Sequence, residues 1–245
     1  MRKGEGVSAG IGIGQALIYR PAPLTYDRYN AKDAASELKR LRDAMGACAE
    51  IARTGADRLR RIVGPREAEI VAAKALMLTD PYVKGGIEQL IASGSMAEEA
   101  VIRVCDMFES AFLATGDEST MQRAADVRDL RDGLLRQLTG VPEPDFSDAP
   151  DHTILVALEL PPSVAGGLDP ARIAGIVTEK GGKIAHSAIL ARALGIPCVM
   201  GLAGIAAETA SGDELIADGT TGLVLVRPSG EEKAFYEAKK GNFQT

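Results

Sequence analysis

The hydrophobic period of this chain changes twice, and those changes limit its possible folds more than any other feature. Between residues 4 and 19 the text is Gly-rich and short-period: Gly4-Glu5-Gly6-Val7-Ser8-Ala9-Gly10-Ile11-Gly12-Ile13-Gly14, then Ala16-Leu17-Ile18-Tyr19. Glycine supplies backbone angles closed to other residues and the aliphatics fill a sheet, so short strands joined by bends are expected. From residue 30 to 140 the period is helical. Asn30 is the expected N-cap, and Leu38, Leu41, Met45, Cys48 and Ile51 recur at three- and four-residue steps. That stripe continues through Ala56, Leu59 and Val63 to Gly64-Pro65, where Pro65 suits the first turn of a second helix ending at Asp80-Pro81. Ser95-Met96-Ala97-Glu98 has the spacing of a capping box ahead of Ile102, Cys105, Phe108 and Phe112. A last helix carries Val127, Leu130, Leu134 and Leu138 to Gly140. Amphipathic helices with short joins predict a bundle of antiparallel pairs.

After the linker Val141-Pro142-Glu143-Pro144 the period shortens again. Thr153–Leu158 and Ala174–Thr178 read as strands, 185–194 as a helix, and 196–200 as another strand. Residues 213–217 and 222–226 flank the turn Asp218-Gly219-Thr220-Thr221 and predict a hairpin. The expected architecture is an α/β module, 1–29 with 141–230, interrupted by an all-α module, 30–140. A charged helix from 231 to 245 would begin a linker; it has no cap, as if it continued into something else.

Composition closes off several functions. The 245 residues carry 28 Lys and Arg against 34 Asp and Glu, a net charge of -6, which does not suit a nucleic-acid binder. The longest uncharged apolar run, 193–207, is broken by Gly and Pro and is too short for a bilayer, and the first residues do not resemble a signal peptide, so a cytoplasmic protein without membrane contact is expected. Three distant cysteines, Cys48, Cys105 and Cys198, form neither a disulfide framework nor a metal site, and no metal ligand set is expected. The run Gly10-x-Gly12-x-Gly14 lacks the spacing and preceding strand of a dinucleotide fingerprint. Arg123, Asp126, Arg128, Asp129, Arg131 and Asp132 read as a solvated, salt-bridged helix face.

The chain has two histidines. His152, at a strand edge after a Pro/Asp-rich linker, reads as a surface residue. His186 lies in Gly181-Gly182-Lys183-Ile184-Ala185-His186-Ser187-Ala188-Ile189-Leu190-Ala191-Arg192, where a strand feeds a double-Gly turn and a helix starts near the histidine. Helix N-termini present backbone N–H groups and the positive end of a dipole, and so hold oxyanions. A neutral imidazole there is positioned as a nucleophile toward phosphorus. Gly181, Gly182 and Arg192 are the candidate phosphate stabilisers, although a capped helix carrying one solvent-facing histidine would produce the same text.

The stretch from Gly181 to Pro197 resembles the phosphohistidine motif of phosphoenolpyruvate-utilising enzymes, roughly G-G-x-T-S-H-x-A-I-x-A-R-x-x-x-I-P. The opening 6–14, Glu67-Ala68-Glu69-Ile70 with Met77-Leu78-Thr79-Asp80, Arg123 to Asp129, and the hairpin from 213 to 228 resemble the N-terminal half of Enzyme I of the bacterial phosphotransferase system. That resemblance covers essentially the whole chain. It implies an α/β phosphohistidine (swivelling) domain with an inserted helical bundle that docks the phosphocarrier HPr. It implies His186 as the catalytic residue, carrying phosphate on Nε2, and Met77, Leu78, Asp80 and Arg123 as partner-binding. The family's C-terminal barrel, which takes phosphoenolpyruvate and magnesium, is missing here, so no cofactor is expected in this chain and the barrel itself is a further expected partner. The family's Thr-Ser before the histidine is Ile184-Ala185, its Arg is Lys183, a common second-helix histidine is Lys74, and a threonine partnering the imidazole is Ala165, with Ser163 nearby as a substitute. These departures bear on transfer rate and partner more than on fold. A related module serving another phosphoenolpyruvate-utilising system also fits. So does a docking module that transfers nothing, which the loss of polar groups at 165, 184 and 185 favours; the helical insertion argues against a dikinase.

Overall fold

A computed structural model describes residues 1–28 and 33–243. In chain order it forms β1 (Arg2–Lys3), β2 (Glu5–Ser8) and β3 (Ile11–Tyr19), then α1 (Ala34–Ile62), α2 (Pro65–Met77), α3 (Pro81–Ala92), α4 (Ala97–Leu113) and α5 (Glu118–Thr139). There follow β4 (Thr153–Ala157), α6 (Pro162–Gly167), β5 (Ile173–Thr178), α7 (His186–Ala193) and β6 (Cys198–Met200). The last elements are α8 (Ile205–Glu208), β7 (Glu214–Asp218), β8 (Leu223–Val226) and α9 (Gly230–Phe243). The chain divides into two compact units, Met1–Pro21 with Asp145–Leu160 and Val164–Thr245, and Ala22–Pro144 with Pro161–Ser163. The joins thus fall at 21/22 and 144/145, against 29/30 and 140/141 expected from the sequence, and Pro161–Ser163 groups with the helices.

The α/β unit is one eight-stranded sheet in the order β1-β8-β7-β3-β4-β5-β6-β2. Its first half and its last half meet at β3, whose N-terminal part runs antiparallel to β7 and whose C-terminal part runs parallel to β4, with Gln15 in both registers. Strands β4, β5 and β6 continue in parallel, and α6 and α7 lie in their crossovers. Side chains alternate between faces as the pleat requires. Leu215, Ala217 and Val224 join Ile154, Val156, Val177 and Val199 on one face, while Ile216 and Leu225 join Ile11 and Tyr236 of α9 on the other. Gly14 is forced by backbone approach, since a Cβ there would lie 1.6 Å from the carbonyl oxygen of His152. The expected hairpin is present as β7 and β8.

Helix α9 is fastened to this sheet by charge as well as by Tyr236. Lys233 pairs with Glu214, and Lys239 Nζ lies 2.6 Å from Asp218 Oδ2. Asp218 is fully buried, and its Oδ1 accepts the amides of Thr220 and Thr221. Burial works to raise this carboxyl, but the hydrogen bonds from Lys239 and Thr221 outweigh it and hold it below the ordinary range.

In the helical unit, Asp33 caps α1 by accepting from the amides of Ala35 and Ser36; the expected cap, Asn30, lies outside the described residues. The core is Leu41, Cys48, Ile87, Ile91, Val101, Val104, Leu130 and Leu134 with their neighbours. Of the expected stripe of α1, Leu41, Cys48, Ala56 and Leu59 are buried, but Ile51 is exposed and Ala44 and Ala52 are buried beside them. Small residues there let α2 approach: a Cβ on Gly55 would sit 3.4 Å from Val71 Cγ1.

The capping box expected at Ser95 does not form. Met96 is the N-cap of α4 and gives no side-chain bond. The role passes to Glu37 on α1, whose Oε2 accepts the Ala97 amide at 2.8 Å. Glu98 pairs instead with Arg40, which also bonds Glu37 at 2.9 Å. Two nearly buried carboxylates thus share one guanidinium and one helix end. Asp129, expected on a solvated face, is also buried, with Lys74 Nζ at 3.2 Å. The cysteines are buried, and burial pushes the thiols of Cys48 and Cys105 up to about 11 and about 12. Among the described residues no helix is long and apolar enough to cross a membrane.

Replacing Glu37 by Ala uncaps α4 and leaves Arg40 and Glu98 a poorer network, so the chain loses about 2–4 kcal/mol in urea unfolding. Glu37→Gln, which keeps an acceptor, loses less. Because the folded Asp218 carboxyl is depressed, its contribution to stability is present above the unfolded value near 3.9 and is lost as pH falls below it. Asp218→Asn therefore gives a shallower fall of the urea midpoint below about pH 4 than the parent shows.

Candidate functional site

Strand β5 is buried along nearly its whole length and delivers the chain to a turn at its carboxyl end. The turn is tightly held. Thr178 Oγ1 donates to the Lys180 carbonyl at 2.6 Å, the amides of Glu179 and Lys180 donate to Ala157 and Leu158, and Leu202 donates to the Thr178 carbonyl. Glu179 Oε1 accepts the Ala206 amide at 3.0 Å, which ties the turn to α8. Gly181 then takes φ of +103°, and a Cβ on it would come 2.7 Å from Met200 Sδ, so both backbone angle and space demand glycine. The Ala185 amide closes back onto the Gly182 carbonyl at 3.0 Å, and α7 begins at His186.

That helix start has no side-chain cap. The amides of Ser187 and Ala188 precede the first helical bond, which Ile189 donates to the Ala185 carbonyl at 3.0 Å. His186 is half-buried. Gly181, Gly182 and His186 are thus brought into one turn and helix entry, as the spacing predicts.

Arg192 lies in the last turn of the same helix, and its Nη1 donates to the Val7 carbonyl at 2.9 Å, fastening α7 to β2. Lys183 brings charge beside the turn, and its Nζ lies 3.6 Å from Glu5 Oε1. Glu5 is a neighbour that sequence reasoning missed: a Cβ on Gly182 would sit 3.0 Å from its Oε2. Only the pairing of β2 beside β6 puts it there, and no local pattern carries that information.

Ala165 is buried and has no hydroxyl to offer a ring. Ser163 does not stand in for it, because its Oγ donates to Asp129 Oδ1 at 2.6 Å and its amide to Asp129 Oδ2 at 3.1 Å, within the helical unit. Lys74 completes that cluster.

The partner-binding candidates separate. Met77 is partly buried against the helical core, and Leu78 is 3% exposed and part of it, so Leu78 offers nothing to a partner. Helical phase turns Leu76 outward instead, 72% exposed, and Tyr82 at the start of α3 is 79% exposed. Asp80 is the N-cap of α3, accepting from Tyr82 and Val83 at 2.9 and 3.1 Å. Arg123 is exposed on α5, and His152 is exposed with a left-handed φ of 62°.

Two family models match, the N-terminal part of phosphoenolpyruvate-utilising enzymes over residues 3–123 and their mobile domain over residues 149–222. The chain belongs to the phosphoenolpyruvate-utilising enzymes. Within them it is an N-terminal domain of the Enzyme I type. A solution structure of Enzyme I is 29% identical with a TM-score of 0.79 and coverage of 100% of both chains. A structure of the N-terminal domain of Enzyme 1 - Nitrogen is 28% identical with a TM-score of 0.60, covering 98% of this chain and 100% of that one. The phosphoenolpyruvate-protein phosphotransferases of Listeria monocytogenes and Streptomyces coelicolor are 36% and 38% identical over 98% and 95% of this chain. The chain spans only 42% and 41% of their lengths. An α/β domain carrying a helical subdomain is what the Enzyme I structures and the sheet topology share.

In this Enzyme I-type domain Gly181→Ala forces a left-handed alanine against Met200 and costs about 1–3 kcal/mol. The measurement is a urea unfolding curve with amide exchange at residues 181–189, where protection falls more than in the helical unit.

Proposed function

We propose that His186 is a phosphoryl carrier that exchanges phosphate with an HPr-type phosphocarrier protein. The observation that carries this reading is the imidazole at the first position of α7, directly after a glycine turn whose geometry tolerates no side chain at residue 181. A helix start without a side-chain cap supplies amides for phosphoryl oxygens. The family motif around this histidine supports the assignment.

In the step, an unprotonated ring nitrogen of His186, Nε2 by resemblance, attacks the phosphorus of a phosphohistidine on the carrier. The new N–P bond forms as the carrier's N–P bond breaks; the leaving imidazole keeps the electron pair and takes up a proton through solvent, matched by the one released from the other ring nitrogen of His186. The reverse step returns the group, so no oxidant or net hydrolysis is involved. Transfer of this kind depends on alignment and charge stabilisation more than on covalent help. The amides at the entry of α7 and the Lys183 ammonium are the stabilising groups. Lys183 keeps a charge where the family has Arg, without the bidentate fork. By the resemblance, taking phosphate from phosphoenolpyruvate would need a barrel domain and magnesium, so exchange with the carrier is the activity proposed for the residues described. The exposed side chains of Leu76, Tyr82 and Arg123, with Met77, are the proposed contact for the carrier.

The test is incubation with isotopically labelled phospho-HPr. Acid-labile label accumulates on the chain and disappears in His186→Ala, whose fold is checked by circular dichroism. Stable binding of HPr with no label on His186 would favour the docking-only reading, for which Ala165 and the committed hydroxyl of Ser163 speak.

A further inference from the structure

A cavity of about 480 Å³ opens on the α/β unit at the amino ends of the parallel strands. Ile11 at the start of β3, His152 just before β4, Arg172 just before β5 and Pro197 just before β6 form its wall, and Lys240 of α9 flanks it. Three basic residues therefore line or flank it, two of which, His152 and Lys240, also line a neighbouring cavity with Asp151, Glu214 and Glu237. The described lining of the first cavity includes no Asp or Glu, although acids outnumber bases 34 to 28 in the chain.

The bases are also available. Arg172 Nη1 is steadied by the Ala149 carbonyl at 2.9 Å and lies 3.7 Å from Asp151, a pair exposed enough to be screened by water. Among the described residues, neither Lys240 nor the His152 ring has a hydrogen bond or ion pair. The rim's main chain is already committed: the carbonyls of His152, Arg172 and Pro197 accept from Gln15, Thr153 and Ile176. Recognition at this place therefore falls to side chains. Ile11, Ile173 and Pro197 give the cavity an apolar wall as well.

A volume in this range fits a small organic ligand, and a guanidinium beside an ammonium fits a phosphate better than a single carboxylate. We propose that this cavity is a binding site for a small organic phosphate, separate from the transfer histidine. The length of β5 divides the two: five residue steps from Ile173 to Thr178 span about 17 Å, and His186 lies beyond the far end. A phosphate seated here therefore does not meet the imidazole, and the proposal does not depend on His186 transferring anything.

The test is a heteronuclear NMR titration of the whole chain with AMP and with ribose 5-phosphate, adenosine serving as the uncharged control. The expected result is amide shifts at Gly10, Ile11, Ile173 and Gly195 with a phosphate probe and not with adenosine, unchanged in His186→Ala. Lys240→Gln weakens binding roughly ten-fold, and Arg172→Gln does so further. Because Arg172 also anchors Ala149, the Lys240 variant alone decides the matter if the Arg172 variant unfolds. Absence of those shifts with both phosphate probes up to about 10 mM overturns the proposal. So do equal shifts with adenosine, tighter binding of succinate than of either phosphate, or full affinity in Lys240→Gln.

Discussion

The pairing of β3 with two strands that lie far from it in sequence is the constraint on which the α/β unit depends. Its first half needs β7 and its second half needs β4, so one nine-residue strand joins the hairpin side of the sheet to the parallel side. Without it, Asp218 and Thr153 would belong to two small sheets with open edges. The parallel run from β3 to β6 also fixes where the carboxyl ends of the strands lie, and so where the turn carrying His186 is displayed. Glycine at 14 is part of the same arrangement, because the strand passes too close to His152 for any side chain.

Much of this was legible in the sequence. The switch from period two to period 3.6 and back marks the insertion, and the Gly181-Gly182 turn with a histidine at a helix start marks the candidate site. Other features were not legible because they are set by partners distant in sequence. The spacing at Ser95 resembles a capping box, yet Glu37 takes the Ala97 amide from another helix and Arg40 claims Glu98. Asp129 sits in an alternating charge run that looks solvated, but Lys74 and Ser163 bury it. Arg192 has the spacing of a phosphate ligand, and no local pattern announces that its Nη1 also reaches the Val7 carbonyl on a strand from the other end of the chain. Leu78 and Leu76 differ by two residues, and only the phase of the packed helix decides which faces outward.

The two ends of the parallel strands carry different electrostatics. At the carboxyl ends, an uncapped helix start and Lys183 lie beside the Glu5 carboxylate, a neighbourhood of mixed charge. At the amino ends, bases gather without an acid in the described lining. An acidic chain therefore keeps local positive charge in two places that no net-charge figure would reveal.

A sheet whose middle strand precedes its neighbours by so much sequence has a consequence during synthesis. Tyr19 leaves the ribosome 134 residues ahead of Thr153, a wait on the order of ten seconds at ordinary elongation rates. During that interval the aliphatic edge of β3 has nothing to pair with, while the helices that follow can already assemble through local contacts. A folded bundle, in which Arg40 of α1 reaches the Leu138 carbonyl of α5, would then bring its two ends near each other and shorten the loop that β3 must close.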